Sequence, residues 1–343
     1  MKPTLSLMAA ILAGCPTEPG AVDPGPDADT DTDADSDTDT DTDSDTDTDT
    51  DTDTDTDSDT DGVVDCAALT DTPTVTRVNG RGYHGLAFDQ SGNLFGSDTI
   101  SLLSTAWDGT FSVVTPLDWP EGIAALPDGD LVVATGWPAR ISPTTGAVTL
   151  LNTSIVAYDV VVGRDGLVYA ATFVDVQRVD PVTGAASVVA ERLPFMPRVL
   201  DFSPDWSRMY LGTLDAEYLS NPGKIYALDL DADLNVVGEP VVYATGVGTG
   251  DYHDGLRVDA CGNVYVADYD TSALYRITPD GVTHLLVQFG AVEYGHAIAF
   301  GSGVGGWKDT ALYLPQPYDD FHVVEVDIGV PSRAYTGEVL LAP

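Results

Sequence analysis

Positive charge is what this chain most lacks. Lys and Arg together number 14 against 55 Asp and Glu, for a formal net charge of −41. Binding to nucleic acid or to anionic lipid needs a basic surface, so neither is expected as a partner. Long hydrophobic runs are also missing: no stretch after the first residues is long enough to cross a bilayer as a helix. Cysteine is scarce, with three in the chain and no Cys-x-x-Cys metal pair. There is no Ser-His-Asp set at recognisable spacing. Gly301–Gly306 interrupts a hairpin instead of leading into a helix, so it reads as a loop and not as a phosphate cradle.

What is present is a repeat. HGLAFDQSGNLFGSD from His84, EGIAALPDGDLVVATG from Glu121, YDVVVGRDGLVYAAT from Tyr158, RVLDFSPDWSRMYLGT from Arg198 and DGLRVDACGNVYVAD from Asp254 share one pattern. A sixth copy starts as HAIAFGSG at His296 and resumes as ALYLPQ at Ala311. Each copy is an apolar strand, a turn built on Asp-Gly or a relative, and a second apolar strand. Such turns need the positive φ that glycine and asparagine tolerate. The copies recur at intervals of 37, 37, 40, 56 and 42 residues. Third and fourth strands follow each hairpin, as in PARISPTTGAV and VTLLNTS. Four short strands per period predict an all-β fold, a six-bladed β-propeller. The long interval holds an insertion around Tyr218–Gly223 and a polar excursion near Asp231–Gly238. A propeller must close its last blade; Thr74–Val78 and Ser332–Tyr335 both compete for that place.

The N-terminus has a different character. Residues 1–14 combine one lysine with an apolar run from Leu5 to Leu12, the pattern of a secretory signal. Leu12-Ala13-Gly14-Cys15 resembles the bacterial lipobox, in which the cysteine is diacylated and becomes the mature N-terminus. Residues 15–62 form an acidic linker in which every odd-numbered position from Asp27 to Asp61 is aspartate. Charge repulsion and the lack of apolar surface make it a solvated tether without a core. The propeller is assigned to residues 63–343. With Cys15 committed to lipid, Cys66 and Cys261 form an even pair, which in an exported protein suggests a disulfide. The resulting expectation is an exported, monomeric lipoprotein, held at a bacterial membrane by its N-terminal lipid alone. The outer membrane is favoured, with the domain facing periplasm or cell surface.

In a propeller the innermost strands line a central channel. The residues entering them here are His84, Glu121, Tyr158, Arg198, Asp254 and His296. Blades five, six, one and two are contiguous, so Asp254, His296, His84 and Glu121 make a candidate site for a divalent metal. Two imidazoles favour a transition metal over calcium. Tyr158 and Arg198 on the remaining arc would hold an anionic or carbonyl-bearing ligand. A competing arrangement pairs Arg198 with Asp254 as a salt bridge. His253, one residue from Asp254, offers a second register, but the glycines of the repeat place Asp254 in the ring. His284 and His322 fall in outer-strand patterns and read as surface or packing residues.

The repeat, and DGLRVDACGNVYVADY above all, resembles the SMP-30/gluconolactonase-like and NHL-type six-bladed propellers over roughly Val78–Ile328. That resemblance implies a single calcium at the channel mouth, held by a first-blade Glu, a fourth-blade Asn and a fifth-blade Asp, with hydrolysis of a sugar lactone or ester. Asp254 matches the fifth-blade aspartate. His84 stands at the first-blade position, and Arg198 replaces the asparagine. Glu121-Gly122 looks like the family's Glu-Gly but falls one blade late. Two functions follow as expectations. One is a module that binds a small molecule or protein at its channel mouth or rim loops; the other is a metal-dependent lactone or ester hydrolase at the same mouth.

Overall fold

Asp-Gly chemistry sets the hairpins. The computed structural model describes residues 64–214, 223–249, 252–290, 296–318 and 320–333. Cys15, the signal segment, the whole acidic linker and most of the Tyr218–Gly223 insertion lie outside these residues. At the turn of the first, second, third and fifth repeats, Gly92, Gly129, Gly166 and Gly262 take φ between 74° and 91°. The fourth repeat has no glycine there, and Trp206 adopts the same left-handed conformation at φ 61°.

Each repeat grows into a four-stranded antiparallel sheet, six in all among the described residues. Blade one runs through Leu86–Phe88, Leu94–Ser97, Ser101–Thr105 and Phe111–Pro116. Blade five runs through His253–Val258, Val264–Asp268, Ala273–Ile277 and Thr283–Gln288. In blade four the polar excursion is a turn at Asp231–Asn235, and the fourth strand, Val236–Thr245, follows it.

Blade six is closed by the N-terminal competitor. Thr74–Arg81 pairs antiparallel with His322–Asp327, which continues into Ala311–Gln316 and Ala299–Phe300. Ser332 makes only an isolated bridge to Asp259. An eight-residue strand can satisfy the whole hydrogen-bonding edge, whereas the C-terminal segment meets it nowhere along its described part. Just upstream, Cys66 is joined to Cys261 of blade five by a disulfide with Cα atoms 5.8 Å apart.

Apolar residues pack between blades, not within them. Second strands such as Leu131–Thr135 and Val168–Ala171 are covered on both faces by neighbouring blades, which is why they read as continuous apolar runs. Val161, Tyr169, Leu200, Phe202 and Met209, for example, form one cluster between blades three and four. Fourth strands such as Ala186–Ala190 are largely exposed. The core therefore leaves the first strands to define a channel whose lining is chosen by chemistry.

Candidate active site at the channel mouth

All six predicted ring positions stand at the start of first strands, at one end of the channel. Their spacing depends on the glycine that follows three of them. A side-chain carbon on Gly85 would collide with the carbonyl of Glu121, and one on Gly255 would come within 2.7 Å of the His296 carbonyl. Neighbouring entries are also hydrogen-bonded directly: Gly122 N–H donates to Tyr158 O at 2.9 Å and Ala297 N–H to His84 O at 3.2 Å. The His-Gly, Glu-Gly and Asp-Gly pairs thus bring consecutive blades into backbone contact, which holds the side chains in a narrow ring.

Arg198 dominates that ring. Its Nε donates to Asp254 Oδ1 at 2.9 Å, and its Nη1 lies 3.1 Å from Glu121 Oε2. The guanidinium carbon sits 4.6 Å from the centroid of the Tyr158 ring, a cation–π contact. The competing salt-bridge arrangement is therefore the one adopted. Around this group is a small, partly open space of about 20 Å³ bordered by His84, Glu121, Tyr158, Arg198 and Asp254. On its other side Asp254 Oδ2 lies 2.8 Å from His296 Nδ1, both side chains almost fully buried. The His84 and His296 rings meet edge to face at 4.6 Å.

The electrostatics follow from burial set against pairing. Burial opposes the charge on Asp254, but Arg198 and His296 outweigh it and hold the carboxyl well below the usual range. For Glu121 burial wins over Arg198, and its carboxyl is raised. Burial, aided by neighbouring His296, pushes His84 down to about 3, so its imidazole is neutral near pH 7. Arg198 loses solvation but gains Asp254 and Glu121, which keep it firmly charged.

Three of the four expected metal ligands converge. One donor atom each from His84, Asp254 and His296 lie within 4.8 Å of one another. Glu121 does not join them; its carboxylate lies 3.1 Å from Arg198 Nη1 and borders the same small space as His84 and Asp254. Tyr158 and Arg198 do not form a separate ligand arc; they stack on each other. His253 lies one residue away but out of the ring. Its Nδ1 accepts from Thr213 N–H at 3.1 Å and its Nε2 faces Val247 O at 3.2 Å, which makes it a structural residue. His284 is exposed on a fourth strand and His322 is buried on a third.

Sequence reasoning missed the next layer of the channel. Below the ring, Arg257 pairs with Asp159 at 3.3 Å. Further down, Arg333 pairs with Asp201 at 2.6 Å and covers the Trp206 ring. Asp201 and Arg257 each stand three residues after a ring position, Arg198 and Asp254, a regularity that was there to be read. The aromatic side chains around the mouth were missed too, because they come from loops outside the repeat pattern.

The donor set does not fit calcium. Arg198 replaces an oxygen ligand with a positive charge and already occupies one oxygen of Asp254. It does fit a borderline metal in kind. The His84 imidazole is neutral, and Asp254 Oδ2, His296 Nδ1 and His296 Nε2 are buried without a well-aligned hydrogen-bond partner. His296 Nδ1 and Asp254 Oδ2 are close but misaligned for a hydrogen bond, as two ligands facing a common centre would be.

A family model described as the SMP-30/Gluconolactonase/LRE-like region matches residues 113–313. No curated protein matches the chain in sequence. Among solved structures, a gluconolactonase from Xanthomonas campestris is similar at 18% identity and TM-score 0.59, covering 77% of this chain and 92% of its own. Regucalcin from Agrobacterium tumefaciens, described as a calcium-binding protein, is similar at 18% identity and TM-score 0.59, covering 75% and 94%. An auxiliary nutrient binding protein from Bacteroides thetaiotaomicron shares the fold at 12% identity and TM-score 0.55, covering 73% and 69%. At such identities the likeness shows the fold alone, and that fold serves proteins of unlike description.

Proposed function

Because this chain belongs to the SMP-30/gluconolactonase/LRE-like family, we propose that its channel mouth is a hydrolytic site for a lactone or ester. The observation that carries the reading is the buried cluster itself: two imidazoles and a carboxylate share one centre, beside a fixed guanidinium and a second carboxylate of raised proton affinity. A binding module without chemistry, the other expectation from the sequence, would use the same mouth. Family membership and the unpartnered donor atoms favour hydrolysis.

His84, His296 and Asp254 would hold a divalent transition metal, which when bound supplies Lewis acidity toward a carbonyl oxygen or a bound water. The chain's own groups have separate tasks. Glu121, raised by burial, accepts a proton from the attacking water. Water oxygen bonds to the acyl carbon, the acyl C–O bond opens, and the proton held by Glu121 passes to the departing alkoxide, leaving a hydroxy acid or an acid and alcohol. Arg198 keeps Glu121 and Asp254 apart and oriented, and Tyr158 fixes the guanidinium plane from below.

Metal content of the full chain, measured by mass spectrometry alongside hydrolysis of a lactone and ester panel, tests this. About one transition metal per chain is expected in the wild type, and none in a His84→Ala/His296→Ala double variant, with hydrolysis lost in parallel. Equal metal content in both proteins would remove the metal site, and stoichiometric calcium would restore the family's own ligand set.

Export and lipid anchoring through Cys15, with the acidic segment as tether, are proposed on the sequence pattern and agree in kind with a disulfide in the folded domain.

A further inference from the structure

Resting on that hydrolytic reading, we infer the class of substrate: a lactone or ester with an apolar, aryl or alkyl body, and not a polyhydroxylated sugar lactone. The first ground is size. The narrow space beside Arg198 and His84 is about 20 Å³, room for about one water or one carbonyl oxygen. Only the reacting end of a substrate fits there. Its body must rest on the rim.

The second ground is what the rim is made of. Trp119 is 54% exposed, Phe173 49% and Tyr318 47%. Each leans on the ring of polar residues and not on the core. Phe173 meets the Tyr158 ring at 5.0 Å. Tyr318 lies 5.9 Å from His296. Trp119 reaches His84 at 6.4 Å and Tyr83 at 6.1 Å, and Tyr83 in turn stacks on His296 at 5.9 Å. Trp119 holds this place in a left-handed conformation, φ 46°, which is costly for a bulky residue and persists where the surroundings require it.

The third ground is that the charged groups at the mouth are committed to one another or to the shared centre of His84, Asp254 and His296. Arg198 is shared by Glu121 and Asp254, Asp254 faces His296, and the Tyr269 and Tyr318 hydroxyls lie 3.5 Å apart. Among the described residues the mouth therefore offers a sugar's hydroxyls few partners, and each hydroxyl desolvated without one weakens binding. An aryl or alkyl body loses nothing there and gains stacking and apolar burial on exposed rings.

The test uses three lactones with the same six-membered ring: D-glucono-δ-lactone, δ-decalactone and δ-phenyl-δ-valerolactone. Hydrolysis by the full-length, metal-loaded protein is followed by acid release, and binding by calorimetry on metal-free protein. The expected result is kcat/KM at least about 100-fold higher for the two apolar lactones. Trp119→Ala and Phe173→Ala should each raise KM for the phenyl lactone about tenfold with kcat little changed. Both side chains are half exposed, so these variants should keep the fold. Preferential hydrolysis of D-glucono-δ-lactone would overturn the inference and leave the hydrolase reading intact. Binding of the apolar lactones that depends on Trp119, without hydrolysis of any, would uphold the inference and remove the hydrolase reading. No binding and no hydrolysis of the apolar pair would overturn the inference.

Discussion

At the scale of single residues, the decisive choice is an arginine. Arg198 lies between two carboxylates, largely buried, and supplies a built-in positive charge at the channel mouth. Removing it leaves Glu121 and Asp254 facing each other without compensation. Arg198→Leu is expected to cost about 3–5 kcal/mol, read from urea unfolding of variant and wild type. A loss below about 1 kcal/mol would mean that another cation already neutralises the pair. Asp268 makes a second residue-scale prediction. It is fully buried, with Oδ1 unpartnered and Oδ2 accepting from the Thr271 N–H and hydroxyl. Burial pushes it up to about 7 despite Thr271, with Asp270 and Asp254 adding in the same direction. The folded state takes up this proton near neutrality and the unfolded chain only near 3.8. Its favourable contribution is thus complete at acid pH and lost as pH rises through about 7. Lowered His84 has the opposite sign, losing stability as pH falls below 6.5, so the wild-type curve mixes the two. The difference between variants separates them. Asp268→Asn should gain more at pH 8 than at pH 5, by about 1–3 kcal/mol, read from thermal melts at both. An equal gain at both would show that Asp268 is not protonated in the folded state.

At the scale of elements, the ring is held by what happens at its ends. Thr74–Arg81 closes blade six, and the Cys66–Cys261 disulfide ties the segment before that strand to blade five. The bridge spans 195 residues, so reduction returns a large loop entropy to the unfolded chain. A Cys66→Ser/Cys261→Ser variant should lose about 2–5 kcal/mol and show a lower melting temperature. An unchanged melt would mean that the strand pairing alone secures the closure. The same logic explains the channel: each first strand is short, and in three of the six the glycine after the ring residue lets it press on the next blade, so the side chains of six separate repeats meet within one narrow ring.

At the scale of the whole molecule, charge bears on the proposed export and anchoring. Of the 55 acidic residues, an unbroken alternation from Asp27 to Asp61 lies ahead of the domain. Such a run of carboxylates repels an anionic surface, a screening-sensitive effect. No helix among the described residues is long and apolar enough to cross a membrane. The proposed anchor is the Cys15 lipid read from the Leu12–Cys15 pattern. Metabolic labelling with a fatty acid should mark the wild-type protein and not Cys15→Ser, and the variant should leave the membrane fraction. Label retained in the variant would place the anchor elsewhere or remove it.

The amino-acid sequence by itself determined the number of blades, the hairpin turns and the identity of the ring residues, because strand period and turn chemistry are local: Asp-Gly needs its positive φ wherever it stands. It also placed Asp254, not His253, in the ring, since the glycine beside it sets the strand phase. Only tertiary structure decided that Thr74–Arg81 closes the last blade, that Arg198 claims Glu121 away from the imidazoles, and that Asp159–Arg257 fills the layer beneath. Those outcomes depend on distances between residues 77 to 253 positions apart, and a charge chooses its partner by proximity and burial, neither of which a linear chain displays. The aromatic mouth belongs to the same class: its rings come from separate loops and become one surface only when six blades close.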